Sequence, residues 1–508
     1  MTGRSKLRRA SSLRAHREEF PWRPPADAWT RRDVLRNGFA SAALLCTFAT
    51  PASLHRRRSV VTSAALRAQS RSPFEPFRRD LPRIPELVPV RRTKTTDFYE
   101  SAIGDGMADV LPGFQTPIYG YEGVYPGPTI RAKRGRRVVV RQQNDLGFES
   151  NVHLHGGYVT AGHDGHPMDV IAAGKSFEYH YPNHQDAASL WYHDHAHGRT
   201  SRTLYYGLVA MYVLEDDLER ELDLPTGDYD VPIVIADHAF NKDGSFRYVE
   251  NVDLGFRGDT LVVNGAISPR MRVERRKYRL RFLNASNARS YTLRLGTGHV
   301  MTQIAGDGGL LERPVRRRSI PLHPAERIDL VIDFRDYRPG TELVLQNTDG
   351  SGGTVAIMRF DVVRGGGEDA RVPRRLKPLD PLPKPVASRT WDLALGTAAW
   401  EINGKSFDPD RIDATPKRGT SERWTFVNHS DRVHPMHLHG FLFRVLSRSS
   451  GRVHPADRLG WKDTIGVLGR ETVTVQAWFA PYGGRYVFHC HALEHADKAM
   501  MLQMEVQA

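Results

Sequence analysis

Arg137-Val138-Val139-Val140-Arg141, Tyr278-Arg279-Leu280-Arg281-Phe282-Leu283 and Arg327-Ile328-Asp329-Leu330-Val331-Ile332 are short runs rich in β-branched and apolar residues, bounded by Gly, Pro and Asn. Apolar stripes at helical spacing are scarce. The pattern predicts an all-β chain of β-sandwiches rather than an α/β sheet covered by helices.

An internal repeat sharpens this reading. Gly135, Asn144 and His153-Leu154-His155-Gly156 recur as Gly419, Asn428 and His437-Leu438-His439-Gly440, each displaced by 284 positions. A second pair matches Trp191-Tyr192-His193-Asp194-His195-Ala196 with Val487-Phe488-His489-Cys490-His491-Ala492, setting Cys490 against Asp194. Between these modules the run ending at Asn284 is followed by Leu293-Arg294-Leu295-Gly296, where the others carry His-Leu-His-Gly. This predicts a middle copy that keeps the strand and lacks the histidines. A Gly/Pro/Arg-rich stretch, Gly365 to Arg389, reads as an interdomain linker, and the first boundary falls near Asp216–Asp228. Asn284-Ala285-Ser286 and Asn428-His429-Ser430 fit the glycosylation pattern but are read as unmodified.

Composition alters the picture in one place, the N-terminus. The 508 residues carry a formal charge of +14, yet residues 1–72 hold 15 Lys/Arg against 4 Asp/Glu, so only +3 belongs to the remaining 436. The body therefore lacks a basic stripe for phosphate, and no nucleic-acid partner is expected. Within the leader, Thr30-Arg31-Arg32-Asp33-Val34-Leu35-Arg36 precedes the apolar run Gly38–Ala49, which is too short to span a bilayer. This order resembles a twin-arginine signal and implies the twin-arginine export machinery as partner, a periplasmic or extracellular location and no membrane insertion. Two cysteines, Cys46 and Cys490, exclude a disulfide framework; Cys46 lies in the leader.

The candidate chemistry lies in four histidine clusters: His153-Leu154-His155, His193-Asp194-His195, His434-Pro435-Met436-His437-Leu438-His439, and His489-Cys490-His491-Ala492-Leu493-Glu494-His495. On a strand, residues i and i+2 share a face, so each His-x-His presents two imidazoles to one side. One thiolate with two imidazoles and a weak thioether is the ligand set of a blue-copper site, and His434, Cys490, His495 and Met500 supply it; Met501 is the neighbouring alternative. A zinc site needs four ligands and would leave most of these histidines without a purpose.

These four motifs, in this order and at opposite ends of the chain, resemble the signature of the three-domain multicopper oxidases over roughly residues 90–508. Tyr125-Pro126-Gly127-Pro128-Thr129, Gly207-Leu208-Val209 and Gly460-Trp461-Lys462-Asp463-Thr464 are most similar to the spore-coat laccase and bilirubin oxidase branch. The resemblance implies three cupredoxin-like Greek-key domains at 73–225, 226–364 and 390–508, after a leader at 1–72 and around a linker at 365–389. It implies four coppers. His153 and His437 would hold the type 2 ion; His155, His193, His195, His439, His489 and His491 the type 3 pair; and His434, Cys490, His495 and Met500 the type 1 ion. Asp164, nine residues after His155, resembles the branch's proton-supplying acid, although an Asp before Gly also suits a turn. The chain departs from the branch after the last type 1 histidine, where Ala496 and then Asp497 stand in place of the usual Glu.

The body has no Met-rich insertion, and no Asp/Glu cluster flanks His434 or His495 in sequence, which argues against Cu(I), Fe(II) or Mn(II) as substrate. The expected reaction is one-electron oxidation of phenols and aromatic amines with dioxygen as acceptor. Bilirubin or a metal ion at the same exposed type 1 edge is the alternative, and a non-enzymatic export or cell-division scaffold a more distant one.

Overall fold

The computed structural model describes residues 75–508 apart from Thr297, Glu368, Asp369 and Ala398. The leader, with its arginine pair and Cys46, lies outside the described residues. Each predicted run sits inside an observed strand: Arg137–Asn144, Lys277–Asn284 and Arg327–Asp333.

The strands form three sandwiches. In the first, a sheet of Arg91–Arg92, Thr96–Ala108, Arg137–Asn144 and Ser176–Tyr181 faces a sheet of Gly127–Lys133, Val209–Glu215, Ala188–His193 and His153–His155. Val138, Val140, Leu154, Tyr192 and Tyr212 fill the space between them. The middle sandwich packs a seven-stranded sheet containing Asp230–His238, Lys277–Asn284 and Arg327–Asp333 against a five-stranded one containing Tyr291–Leu295 and Glu342–Asn347. The last packs the sheet of Pro385–Leu395, Thr420–Asn428 and Thr472–Phe479 on that of Thr464–Val467, His434–Leu438, Gly484–Cys490 and Met501–Val506. Strand Pro385–Leu395 begins inside the stretch read from sequence as a linker.

The three copies share a core device. In each, a strand runs parallel to one ending in Asn: Thr96–Ala108 beside Arg137–Asn144, Asp230–His238 beside Lys277–Asn284, and Pro385–Leu395 beside Thr420–Asn428. The side-chain carbonyls of Asn144, Asn284 and Asn428 accept the N–H two residues on, from Leu146, Ser286 and Ser430, at 3.1, 3.0 and 2.9 Å. Their amides donate to backbone carbonyls across the loop: Phe148 and Ile171; Arg289 and Leu322; Arg432, Val467 and Leu468. Each Asn therefore closes the end of its sandwich.

The structure adds one detail to the repeat. Leu154 and Leu438 point into their cores, which turns the flanking histidines outward, whereas Leu293 and Leu295 are themselves core residues. In a period-two strand this is a one-residue offset in facing, so the outward positions of the middle copy are Thr292 and Arg294 rather than the two leucines.

Candidate metal centre

Two hairpin-like pairings bring the histidines together. His153 lies opposite His193 in the first sandwich, and His437 lies opposite His489 in the last. With Leu154, Leu438, Tyr192 and Phe488 committed to the cores, strand alternation turns the imidazoles to the outer faces, where the two modules meet. There the rings interleave: His153 stacks on His439 at 3.7 Å between centroids, and His155 on His437 at 3.6 Å. All eight histidines of this group are buried.

Hydrogen bonds decide which ring nitrogen of each histidine is spare. The Nδ1–H groups of His153, His437, His193 and His489 donate to the carbonyls of Asp164 (2.6 Å), Asp463 (3.0 Å), Asp194 (2.8 Å) and Cys490 (2.9 Å). A carbonyl only accepts, so each of these rings has a bare lone pair on Nε2. The Nε2 atoms of His153 and His437 then face each other at 3.4 Å, and His489 Nε2 lies 3.1 Å from His195 Nε2 and 3.0 Å from His439 Nε2. His155 is inverted: its Nε2 meets Asp463 Oδ1 at 3.1 Å, leaving Nδ1 with no partner. Neither ring nitrogen of His491 has a partner, nor does His193 Nε2. Opposed lone pairs buried from solvent repel, and a cation between them turns the arrangement favourable. Burial, reinforced by neighbouring imidazoles, holds these histidines below their ordinary pKa, His193 at about 3 and His489 at about 4, so they are present as neutral imidazoles able to bind a metal ion.

A second cluster lies one residue along the chain. Cys490 Sγ is 3.5 Å from His434 Nδ1 and 3.6 Å from His495 Nδ1. His495 donates its Nε2–H to the Asp253 carbonyl at 3.2 Å, which frees Nδ1 for the sulfur side. Burial pushes the Cys490 thiol up to about 12, so the thiolate requires a bound cation. Met500 is buried beside them: its N–H donates to the His495 carbonyl and its carbonyl accepts from Cys490 N–H. Met501 instead begins the strand that pairs with His489. The donor set of this cluster, one sulfur and two imidazoles with the buried Met500 next to them in the fold, suits copper.

Family models described as multicopper oxidase match residues 103–218, 215–357 and 379–508. The laccase of Bacillus subtilis (strain 168) is 36% identical over 85% of this chain and 99% of its own length. The chain belongs to the multicopper oxidase family. A bilirubin oxidase from Albifimbria verrucaria is 36% identical over 80% of this chain and 75% of that protein. The crystal structure of a laccase from Pediococcus acidilactici superposes with a TM-score of 0.79 at 31% identity, covering 86% of this chain and 96% of that one.

This multicopper oxidase is an enzyme whose fold is three cupredoxin-like domains, and the residues around its histidines complete the picture. Asp164 is fully buried rather than a surface turn residue: its Oδ2 accepts from His439 Nδ1 at 2.7 Å while its carbonyl holds His153. Asp194, at the place of Cys490, accepts from Ser150 Oγ, Asn151 N–H and Thr203 Oγ1, so it ties down the loops instead of meeting a metal. Ala496 is buried without polar function, and the Asp497 carboxylate accepts the N–H groups of Thr200 and Ser201 at the start of helix Thr200–Tyr205. The histidine edge expected to be exposed to reductants is covered: His495 is only 2% accessible, with the Asp253 carbonyl and the Trp400 ring against it. Sequence reasoning missed Asp463, Thr464 and Arg327. Asp463 Oδ1 and Thr464 Oγ1 both meet His155 Nε2, and Arg327 clamps the Asp463 carboxylate with two bonds of 2.8 and 2.5 Å. The Lys462-Asp463-Thr464 motif was a signal for the first two; Arg327 carried none.

Among the described residues, no helix is long and apolar enough to cross a membrane.

Proposed function

We propose that this oxidase works as a laccase, with four coppers per chain, oxidising phenols and aromatic amines one electron at a time: four ArOH and one dioxygen give four ArO radicals and two waters. His153 and His437 would hold type 2 copper, and His155, His193 and His491 one type 3 ion. His195, His439 and His489 would hold the other, and His434, Cys490, His495 and Met500 type 1. Bound copper supplies one-electron chemistry at the thiolate and reduction of dioxygen at the three-ion cluster. The observation that carries the reading is covalent: Cys490 belongs to one cluster, and its chain neighbours His489 and His491 belong to the other. Export through the twin-arginine route, to the periplasm or beyond, follows from the leader's sequence.

Two of the exposed acids near His434 and His495, Asp253 and Asp431, are paired with Arg432 and Arg470, which speaks against them as a docking site for Mn(II) or Fe(II). Asp164 is the carboxyl group assigned to keep His439 oriented and to hold a proton beside the cluster.

Dioxygen uptake by copper-loaded protein tests the reading, comparing an electron-rich phenol, bilirubin, Cu(I) and Mn(II). Fast uptake with the phenol, water as product and about four coppers per chain are expected; a preference for a metal ion overturns the laccase reading. Cys490→Ser is expected to abolish the blue colour and turnover while copper falls by one. Asp164→Asn is expected to slow turnover about 10- to 100-fold with the blue colour intact, and unchanged turnover removes Asp164 from the mechanism.

A further inference from the structure

The peptide that covers His495 belongs to a turn of the middle sandwich, between strands Asp230–His238 and Thr260–Val263. Asn251 Oδ1 accepts the N–H groups of Asp253 and Leu254 at 3.2 and 2.9 Å, and Gly255 donates to the Asn251 carbonyl. Gly255 has φ +67° and packs so closely that a Cβ would lie 2.2 Å from that of Ala288. The turn is therefore pinned. Its Asp253 carbonyl accepts from both His495 Nε2–H (3.2 Å) and Trp400 Nε1–H (3.3 Å). The Asp253 peptide thus links the turn directly to His495.

The outer face of the turn is charged. Asp253 pairs with Arg432 at 3.0 Å, both exposed, and Glu250 pairs with Lys498 at 2.9 Å. Beneath them, Arg289 is paired with Asp237, and the buried Glu494 faces inward, its Oε1 bonded by Tyr248 and Asn287. Asp259 lies two residues past Arg257 and accepts from Thr260 Oγ1. Arg257 is exposed and makes no ion pair among the described residues, and Leu254 beside it is an exposed apolar side chain. Arg257 and Arg432 lie near enough for their charges to act on one another, with Arg289 and Asp237 also within reach of Arg257.

We infer that reductants dock on the outer face of this turn, their ring against Leu254 and a negative group between Arg257 and Arg432, so that the favoured substrates are phenols bearing a carboxylate or sulfonate. The inference rests on the laccase reading. The phenol gives up the hydrogen of its O–H, the proton to solvent and the electron across the Asp253–His495 hydrogen bond, with dioxygen as the final acceptor. The anionic group is unchanged by the reaction and serves recognition alone. Two arginines suit it because the guanidinium is always charged and forks onto carboxylate or sulfonate oxygens.

The test compares 3,5-dimethoxy-4-hydroxybenzoate with its methyl ester, which keep the same phenol and differ by one charge. Copper-loaded protein at low ionic strength is expected to show a KM for the acid about tenfold below that for the ester. The ratio is expected to fall toward one at about 0.5 M salt, where charge is screened within a few ångströms. Arg257→Glu is expected to reverse the ratio, and Arg257→Gln to bring it close to one; each variant is its own reference, since acid and ester are measured on the same preparation. Equal KM values in the unaltered protein, or a ratio indifferent to salt and to both variants, overturn the docking site and leave the laccase reading standing. Oxidation of neither compound overturns the laccase reading and this inference with it.

Discussion

A buried imidazole becomes a ligand when something other than the metal occupies one of its nitrogens. The carbonyls of Asp164, Asp194, Asp463 and Cys490 do this for four histidines by accepting Nδ1–H, and Asp463 does it in the opposite sense for His155. His-x-His spacing made the candidate ligands legible in the sequence, but the choice of nitrogen was not, because it depends on carbonyls placed by the fold. His238 shows the other fate of a buried histidine. Its Nε2 lies 2.8 Å from the Tyr125 hydroxyl, its ring stacks on Phe246 at 4.0 Å, and burial lowers its pKa from the ordinary 6.5 to about 3. Between those values the unfolded chain binds a proton there that the folded chain refuses, so stability falls as pH falls through this window. One such group contributes about 1.4 kcal/mol per pH unit. His238→Gln, which keeps a polar group for Tyr125, is expected to flatten the dependence of unfolding free energy on pH by about that amount between pH 6 and 4, as read from urea unfolding. An unaltered slope would show that His238 is protonated in the folded protein.

At the scale of the element, the recurring Asn is the clearest device. Asn428 donates to three carbonyls and accepts from Ser430 N–H, all near the start of the His434–Leu438 strand that carries His434 and His437. Asn428→Ala leaves those carbonyls short of a donor and is expected to cost about 2–4 kcal/mol. Denaturant midpoints check this, and Asn144→Ala and Asn284→Ala are expected to fall in the same range because their turns are built alike. A loss below about 0.5 kcal/mol at any of the three would mean that water replaces the amide there. The sequence carried this device as spacing: Asn144 and Asn428 each stand nine residues before a His-Leu-His-Gly run, and Asn284 nine before Leu293. What it could not carry is facing in the middle copy, where a one-residue offset puts Leu293 and Leu295 in the core. Spacing counts residues, whereas facing in a strand depends on register with its neighbours, here Leu293 opposite Asn347 and Ile320.

At the scale of the molecule, the middle copy explains itself through the charges it lends to the other two. Arg327, fully buried, clamps Asp463 of the last module and donates Nε–H to the Ser189 carbonyl of the first, while its own N–H bonds Asp307 Oδ1. Lys462 closes the network on Asp307 and Glu326. Gly156, after the first His-Leu-His, is required by this closeness: a Cβ there would lie 2.6 Å from both Arg327 Nη2 and Asp463 Oδ2, at φ +83°. The middle module, which lacks the His-x-His pairs, thus fixes the carboxylate that holds His155 Nε2 and leaves its Nδ1 without a partner. In sequence Arg327 is only the first residue of a strand, and its partner lies 136 residues further on, so pairing of this kind is visible only after folding. Arg327→Met leaves Asp463 as a buried carboxylate without its cation, which is expected to cost about 3–5 kcal/mol. It is also expected to deplete the proposed three-ion cluster while sparing the proposed thiolate site, to which His434, Cys490, His495 and Met500 are assigned. Copper analysis together with the blue absorbance separates these outcomes: copper content falls toward that of the thiolate site alone, with the blue band retained. Arg327→Lys, which keeps the charge and loses the two-pronged bond, is expected to lie between the two. Full copper occupancy and unaltered stability in Arg327→Met would show that the cluster does not depend on the middle module's charge.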